Sequence, residues 1–220
     1  MYVRNFTDRA DAGRQLAEAL QHHVHLDDPL VLGLARGGVT VAAEVARALG
    51  AELDVMVVRK LGHPLQPELA IGAIGPGGVR VVNAGIASGV PSDVIDSIAR
   101  REEREMERRE RLYRASGERV ALRDRNVLLV DDGLATGATM LAAVRAARAA
   151  GAHRVIVAVP IADPAVCASL GREADRVLCL VQPALLGSIG GWYDEFPQLT
   201  DDDVRAVLHE ARRSRAASQT

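Results

Sequence analysis

Asp131 and Asp132 follow at once on the apolar run Val127-Leu128-Leu129-Val130, and Gly133-Leu134-Ala135-Thr136-Gly137-Ala138-Thr139 follows them. Four apolar residues in a row read as a strand buried on both faces, so the two carboxylates emerge at its carboxyl end. Adjacent carboxylates repel a phosphate but suit a vicinal diol, which donates two hydrogen bonds, or a hydrated Mg²⁺. The small residues after them let a ligand approach the backbone, and N–H groups at a helix start bind phosphate without a cationic side chain. A phosphate and a diol a few ångströms apart describe a ribose 5-phosphate. The plainer alternative is an ordinary strand–loop–helix with solvated Asp residues at its turn.

Two further stretches offer positive charge to an anion. Ala35-Arg36-Gly37-Gly38-Val39 joins the strand Leu30-Val31-Leu32-Gly33-Leu34 to a helix expected over 40–49. Leu53-Asp54-Val55-Met56-Val57-Val58 reads as a second strand that ends in Arg59-Lys60. Lys60 is the single lysine in a chain that uses Arg for every other fixed cation. Both stretches place cations where parallel α/β sheets bind ligands, at the carboxyl edge. For each the bland alternative is a solvated strand end.

The rest of the chain must hold these stretches in place. Thr7-Asp8-Arg9-Ala10-Asp11 opens a helix whose apolar face is Ala12, Leu16, Ala19 and Leu20. His22, His23 and His25 near its end read as a solvated helix end, with a metal cluster as the minor alternative. Residues 61–89 are rich in Pro and Gly and read as a mobile loop followed by a hairpin, in which Glu68 is the only acid. A helix from Ser92 to about Ser116 is almost wholly charged in its middle, with Glu105–Arg109, Glu107–Arg111 and Glu110–Arg114 spaced i,i+4. Its bland reading is a solvated crossover helix; a subunit contact is the second, which leaves a homodimer open. Helix 142–150, strand 155–159, helix 164–170 and strand 176–181 complete the alternation.

Strands alternating with helices give a parallel sheet with right-handed crossovers. The expectation is one α/β domain over 1–220, a doubly wound parallel sheet with a core of about 28–182 and a small hood over 183–210. The hood carries Gly190-Gly191-Trp192-Tyr193, with Trp192 and Tyr193 as candidates to stack on a flat heterocycle; the alternative is that Trp192 and Phe196 anchor the segment on the core. Thr200-Asp201-Asp202-Asp203 caps a last helix, and 212–220 reads as a frayed polar tail.

Composition narrows the function classes. With 220 residues, 48% hydrophobic and 25% charged, the chain can bury a full core. A net charge of −2 and a charged helix of mixed sign give no basic surface for nucleic acid, and no run approaches a membrane span. The amino terminus has no apolar signal core, and Cys167 and Cys179 are spaced unlike a zinc site. A cytoplasmic location with reduced thiols is expected.

The stretch Val127 to Thr139 resembles the phosphoribosyl pyrophosphate (PRPP) motif of type I phosphoribosyltransferases, apart from Gly133, where a larger apolar residue is usual. The resemblance implies Mg²⁺-dependent transfer of ribose 5-phosphate from PRPP to a small nitrogenous acceptor, with release of pyrophosphate. It implies that Asp131 and Asp132 hold the ribose hydroxyls and, directly or through water, the Mg²⁺. Leu134, Ala135, Thr136, Gly137, Ala138 and Thr139 would cradle the 5-phosphate, while Arg36 with Gly37 and Gly38, and Lys60 or Arg59, would hold pyrophosphate. A flexible loop over 61–89 would close over the reaction, with Glu68 as a candidate proton handler. Ala135 stands where hypoxanthine–guanine transferases carry an Asp, which makes the loop closer to the adenine type and leaves the acceptor open. A different class shares the fold: proteins that bind PRPP as a signal and regulate without turnover.

Overall fold

The structure, a computed structural model, describes residues 5–24, 27–114 and 120–218. In chain order the elements are α1 (Arg9–His23), β1 (Leu30–Leu34), α2 (Gly37–Leu49), β2 (Glu52–Met56), β3 (Arg59–His63), β4 (Gln66–Gly75), β5 (Val79–Val82) and α3 (Ser92–Tyr113). They continue with β6 (Asn126–Val130), α4 (Ala138–Ala149), β7 (Arg154–Ile161), α5 (Pro164–Leu170), β8 (Arg176–Val181) and α6 (Asp201–Ser218).

Five parallel strands form the central sheet in the order β2-β1-β6-β7-β8. Side chains alternate along each strand, so both faces need cover. Leu30, Leu32, Leu129, Val155 and Val157 pack with Met140, Ala143 and Val144 of α4. Val31, Leu128, Val130, Ile156 and Ala158 pack on the other face with Leu16 of α1, Val41 and Val45 of α2, and Val204 and Leu208 of α6. The chain steps outward from β1 to β2, then returns and steps the opposite way through β6, β7 and β8. Order therefore reverses between β1 and β6, whose residues Gly33 and Val130 are paired. The loops after these two strands leave the sheet side by side at such a switch point, where open α/β sheets bind ligands.

The second sheet is antiparallel, β3-β4-β5. The stretch expected as a loop and hairpin is thus a three-stranded sheet, with Pro64 and Leu65 at the turn between β3 and β4 and Leu65 85% exposed. Its inner face, Leu61, Ile71 and Ile74, packs on Ile98 and Ala99 of α3. Strand β2 stops at Met56, two residues short of the expected end, and Arg59 and Lys60 open β3 instead, with Lys60 opposite Ala73.

Two expectations for the C-terminal part are corrected. The tail expected from 212 is helical through Ser218, consistent with its Ala and Arg content. α6 also does not sit in a hood: Val204 and Leu208 are buried in the core beside α2, so the hood is confined to the segment between β8 and α6. The charged helix α3 does form its three i,i+4 pairs, Glu105–Arg109 at 2.8 Å, Glu107–Arg111 at 3.9 Å and Glu110–Arg114 at 3.6 Å. One face of it is nonetheless buried, through Ile98, Ala99, Met106 and Tyr113. Among the described residues no helix is long and apolar enough to cross a membrane.

Candidate active site

The acidic pair lies where β6 ends, half-buried, between two loops. Asp131 accepts the backbone N–H of Asp132 on Oδ1 at 2.9 Å. Burial and then the neighbouring Asp132 charge push the Asp131 carboxyl well above the usual carboxylate range. Burial also raises Asp132, against the opposing hydrogen bond from Arg9. Charges held out of water beside each other favour a bound cation or hydrogen-bond donors, which would relieve both costs.

The loop after the pair is pinned at one residue and open elsewhere. Leu134 is buried, donates its N–H to Ile161 O at 2.9 Å and accepts from Asp163 N at 3.1 Å. Ala135 and Thr136 are exposed. Gly137 has φ 70°, a left-handed conformation suited to glycine, and a β-carbon there would lie 2.5 Å from Val166 Cγ1 of α5. Among the described residues no side chain caps the first turn of α4, so its N–H groups face the loop's concavity.

The Arg36 loop lies directly against the acidic pair. A β-carbon at Gly37 would sit 1.9 Å from Asp132 Oδ2, and one at Gly38 would sit 2.6 Å from Val130 O. Only glycine permits this approach at either position. The peptide bond between Ala35 and Arg36 is cis. Arg36 is half-buried at the start of α2. The structure therefore brings Gly37 and Gly38 against Asp131 and Asp132, with the loop from Gly133 to Thr139 following the pair, while the Arg36 charge is felt at Tyr113 and Asp201.

Arg59 and Lys60 are placed differently from one another. Arg59 is tied to α3: its Nε and Nη2 donate to Glu102 Oε2 at 3.0 and 2.7 Å. That pairing gives Arg59 a structural task, holding β3 to α3. Lys60 is half-buried on the next position of β3, on the opposite side of the strand. The Glu68 side chain lies outside the described residues. So does His25, whereas His22 and His23 are exposed in the last turn of α1.

The hood rests on the acidic pair through residues whose roles sequence reasoning missed. Arg9, in the first turn of α1, donates from Nε to Asp132 Oδ2 at 2.8 Å and from Nη1 to Pro197 O at 2.8 Å. Its guanidinium lies 3.7 Å from the centre of the Phe196 ring. The only sequence signal for Arg9 was a cation in a helix's first turn, where the dipole favours an acid. Ile189 sits over Gly133: a β-carbon there would come within 2.7 Å of Ile189 Cδ1 and Cγ2. Ile189 fills the space that a larger residue in the motif would take.

Tyr193, one of the two candidate acceptor contacts, is packed inward. It is 5% exposed, its ring lies 5.4 Å from that of Phe6 and 4.8 Å from that of Phe196, and its hydroxyl donates to Asp132 O at 2.6 Å. Trp192 is half-buried and donates Nε1–H to Leu186 O at 2.8 Å, which fixes one edge of the indole.

The residues present fit Mg²⁺. Asp131 and Asp132 supply hard oxygen donors, and among the described residues no group of three His, Cys, Asp or Glu gathers to form a full protein cage. Mg²⁺ commonly takes one or two carboxylates, keeps waters and draws its remaining oxygens from substrate phosphates.

Comparison with known proteins identifies the family. The family model described as phosphoribosyl transferase domain matches residues 4–179. Two Mycobacterium tuberculosis proteins, from strains CDC 1551 / Oshkosh and ATCC 25618 / H37Rv, carry the provisional name phosphoribosyl transferase. Each is 48% identical over 213 residues, which is 96% of this chain and 48% of the relative. The chain thus spans about half the length of the curated relatives it matches. A crystal structure of a Thermus thermophilus protein is 44% identical, with a TM-score of 0.80 over 94% of this chain and 98% of that one. A Neisseria gonorrhoeae structure, 15% identical with a TM-score of 0.50 over 95% and 96% of the two chains, shares the fold. On the extent of the family match and of these identities, the chain belongs to the phosphoribosyl transferase family.

Proposed function

We propose that the protein transfers ribose 5-phosphate from PRPP to a small nitrogen nucleophile, a nucleobase being the expected class, with Mg²⁺ and with release of pyrophosphate. The observation that carries this reading is the contact between two loops from adjacent strand ends, in which Gly37 meets Asp132 with no room for a β-carbon. An anion-binding turn and a diol-binding carboxylate pair are thereby held within one ligand's length. PRPP has this sequence of groups: a pyrophosphate on the anomeric carbon, the ribose diol beside it, and a phosphate at the far end.

Each part then has a task. The Leu134–Thr139 loop and the uncapped start of α4 bind the 5-phosphate through backbone N–H groups and Thr hydroxyls. Asp131 and Asp132 accept hydrogen bonds from the ribose hydroxyls. When bound there, Mg²⁺ supplies positive charge to the pyrophosphate oxygens. Arg36 with the Gly37 and Gly38 backbone, assisted by Lys60, stabilises the negative charge that grows on the pyrophosphate as the anomeric bond breaks. The sugar carries the complementary oxocarbenium-like charge near the Asp pair. Trp192 is the candidate stacking surface for the acceptor, since Tyr193 is largely buried.

Pyrophosphate release, measured with PRPP, Mg²⁺ and a panel of nucleobases, tests the reading. Turnover with any acceptor supports transfer. PRPP binding by calorimetry without turnover across the panel would favour the PRPP-sensing class instead.

A further inference from the structure

We propose that Arg9 is a positioning residue that links occupancy of the acidic pair to the placement of the hood, so that sugar-phosphate binding releases the hood for the acceptor. The proposal deepens the PRPP reading of the site and, for its ligand-dependent part, rests on it.

Arg9 belongs to neither loop of the site. It comes from α1 and spans three parts of the chain that are distant in sequence: its Nε reaches Asp132, its Nη1 reaches Pro197 O, and its face covers the Phe196 ring. The side chain is 9% exposed and that of Asp132 16%, so water does little to screen the pair. The guanidinium is planar, and its donors point in fixed directions. It cannot therefore move off Asp132 without disturbing its contacts to Phe196 and Pro197. The hood makes a second contact with the same residue, from the Tyr193 hydroxyl to Asp132 O. Asp132 is thus held by α1 at its side chain and by the hood at its backbone, while Arg9 closes the triangle.

A ligand that engages Asp132 draws on the carboxylate that Arg9 also uses. Ribose hydroxyls donate to the same carboxylate, and a divalent cation beside it places like charge close to the guanidinium. Either weakens the Arg9–Asp132 bond and, with it, the geometry that seats Phe196 and Pro197. The coupling is reciprocal: whatever displaces the hood also changes the affinity of the pair for its ligand.

Trp192 is the only tryptophan and lies in the hood, so acrylamide quenching of its emission reports hood placement. In the ligand-free protein, Arg9→Gln, Asp132→Ala and the double variant form a cycle. Each single substitution is expected to raise quenching, and the double to raise it no further than either alone, because both break one link. Additive effects, or an Asp132→Ala protein whose Trp192 is quenched as in the unaltered chain, would overturn the proposal by making Arg9 a local packing residue. If Arg9→Gln does not fold, Arg9→Lys replaces it, since Lys retains the charge but cannot make the Nε and Nη1 bonds together.

The second arm adds PRPP with Mg²⁺. Quenching should rise in the unaltered protein toward the level of the variants, and in Arg9→Gln it should stay constant while calorimetry still detects binding. PRPP that binds the unaltered protein without changing Trp192 defeats the linkage. Failure of PRPP to bind the unaltered protein at all removes the functional reading, while the ligand-free cycle still decides whether Arg9 couples Asp132 to the hood.

Discussion

Asp131 costs the folded protein stability, because its carboxyl is raised by burial and by Asp132 beside it. A carboxyl raised on folding loses stability as pH climbs from its unfolded value through its folded one. Asn does not titrate and still accepts the Asp132 N–H. Asp131→Asn should therefore melt at a higher temperature than the unaltered chain at neutral pH, by about 2–4 °C for each kcal/mol relieved. The gain should vanish below the ordinary carboxylate range, and calorimetry should show PRPP binding lost. A lower melting temperature at neutral pH would show that the carboxylate is held for folding. Gly37→Ala makes the opposite test: its methyl meets Asp132 Oδ2, so the carboxylate or the loop must shift. We expect a loss of about 1–3 kcal/mol of stability, read by denaturant unfolding, together with weakened PRPP binding.

At the scale of elements, much of the site could be read from the chain and some could not. The acidic pair, the small-residue loop and the Arg36 turn each lie in consecutive residues, so a strand end and a run of small residues were enough to propose them as one site. Arg9, Ile189 and the anchoring role of Tyr193 were not legible, since each acts across more than fifty residues of sequence through contacts no local pattern encodes. The course of β2 misled for a related reason. Val57 and Val58 are buried like strand residues but leave the sheet, and Arg59 begins a strand of another sheet. Neighbours Arg59 and Lys60 consequently differ in their expected effects. Arg59→Ala leaves the Oε2 atom of Glu102, a residue 8% exposed, without its two bonds from Arg59 and should lower the melting temperature. Lys60→Ala should reduce turnover more than it weakens ribose 5-phosphate binding, the pattern of a group acting on the leaving pyrophosphate. An equal loss of both would remove that role.

At the scale of the whole molecule, polar contacts join apolar ones in tying α3 to α6. Arg108 and Arg109 hold the Glu105 carboxyl down to about 2, chiefly through the Arg108 hydrogen bond. Arg108 and the Tyr113 hydroxyl also reach Asp201 at the start of α6, at 3.3 and 2.6 Å. A depressed carboxyl contributes stability that is present above its unfolded value and lost as pH falls toward its folded one. Acid unfolding followed by circular dichroism should show stability declining between roughly pH 4.5 and 2, and Glu105→Gln should flatten that decline. An unchanged acid limb would place the loss at other carboxylates.

The seat of Ile189 on Gly133 has a consequence for how this scaffold can be altered. Loop and hood share one volume: space left empty by the motif is filled from the hood, so the two cannot be exchanged independently. A larger residue at Gly133 would expel Ile189 and lift the segment carrying Trp192, whatever acceptor it was meant to favour. A hood transplanted from a relative with a bulky residue at that position would leave a gap over Gly133. Redesign of this segment must therefore change position 133 and position 189 as a pair.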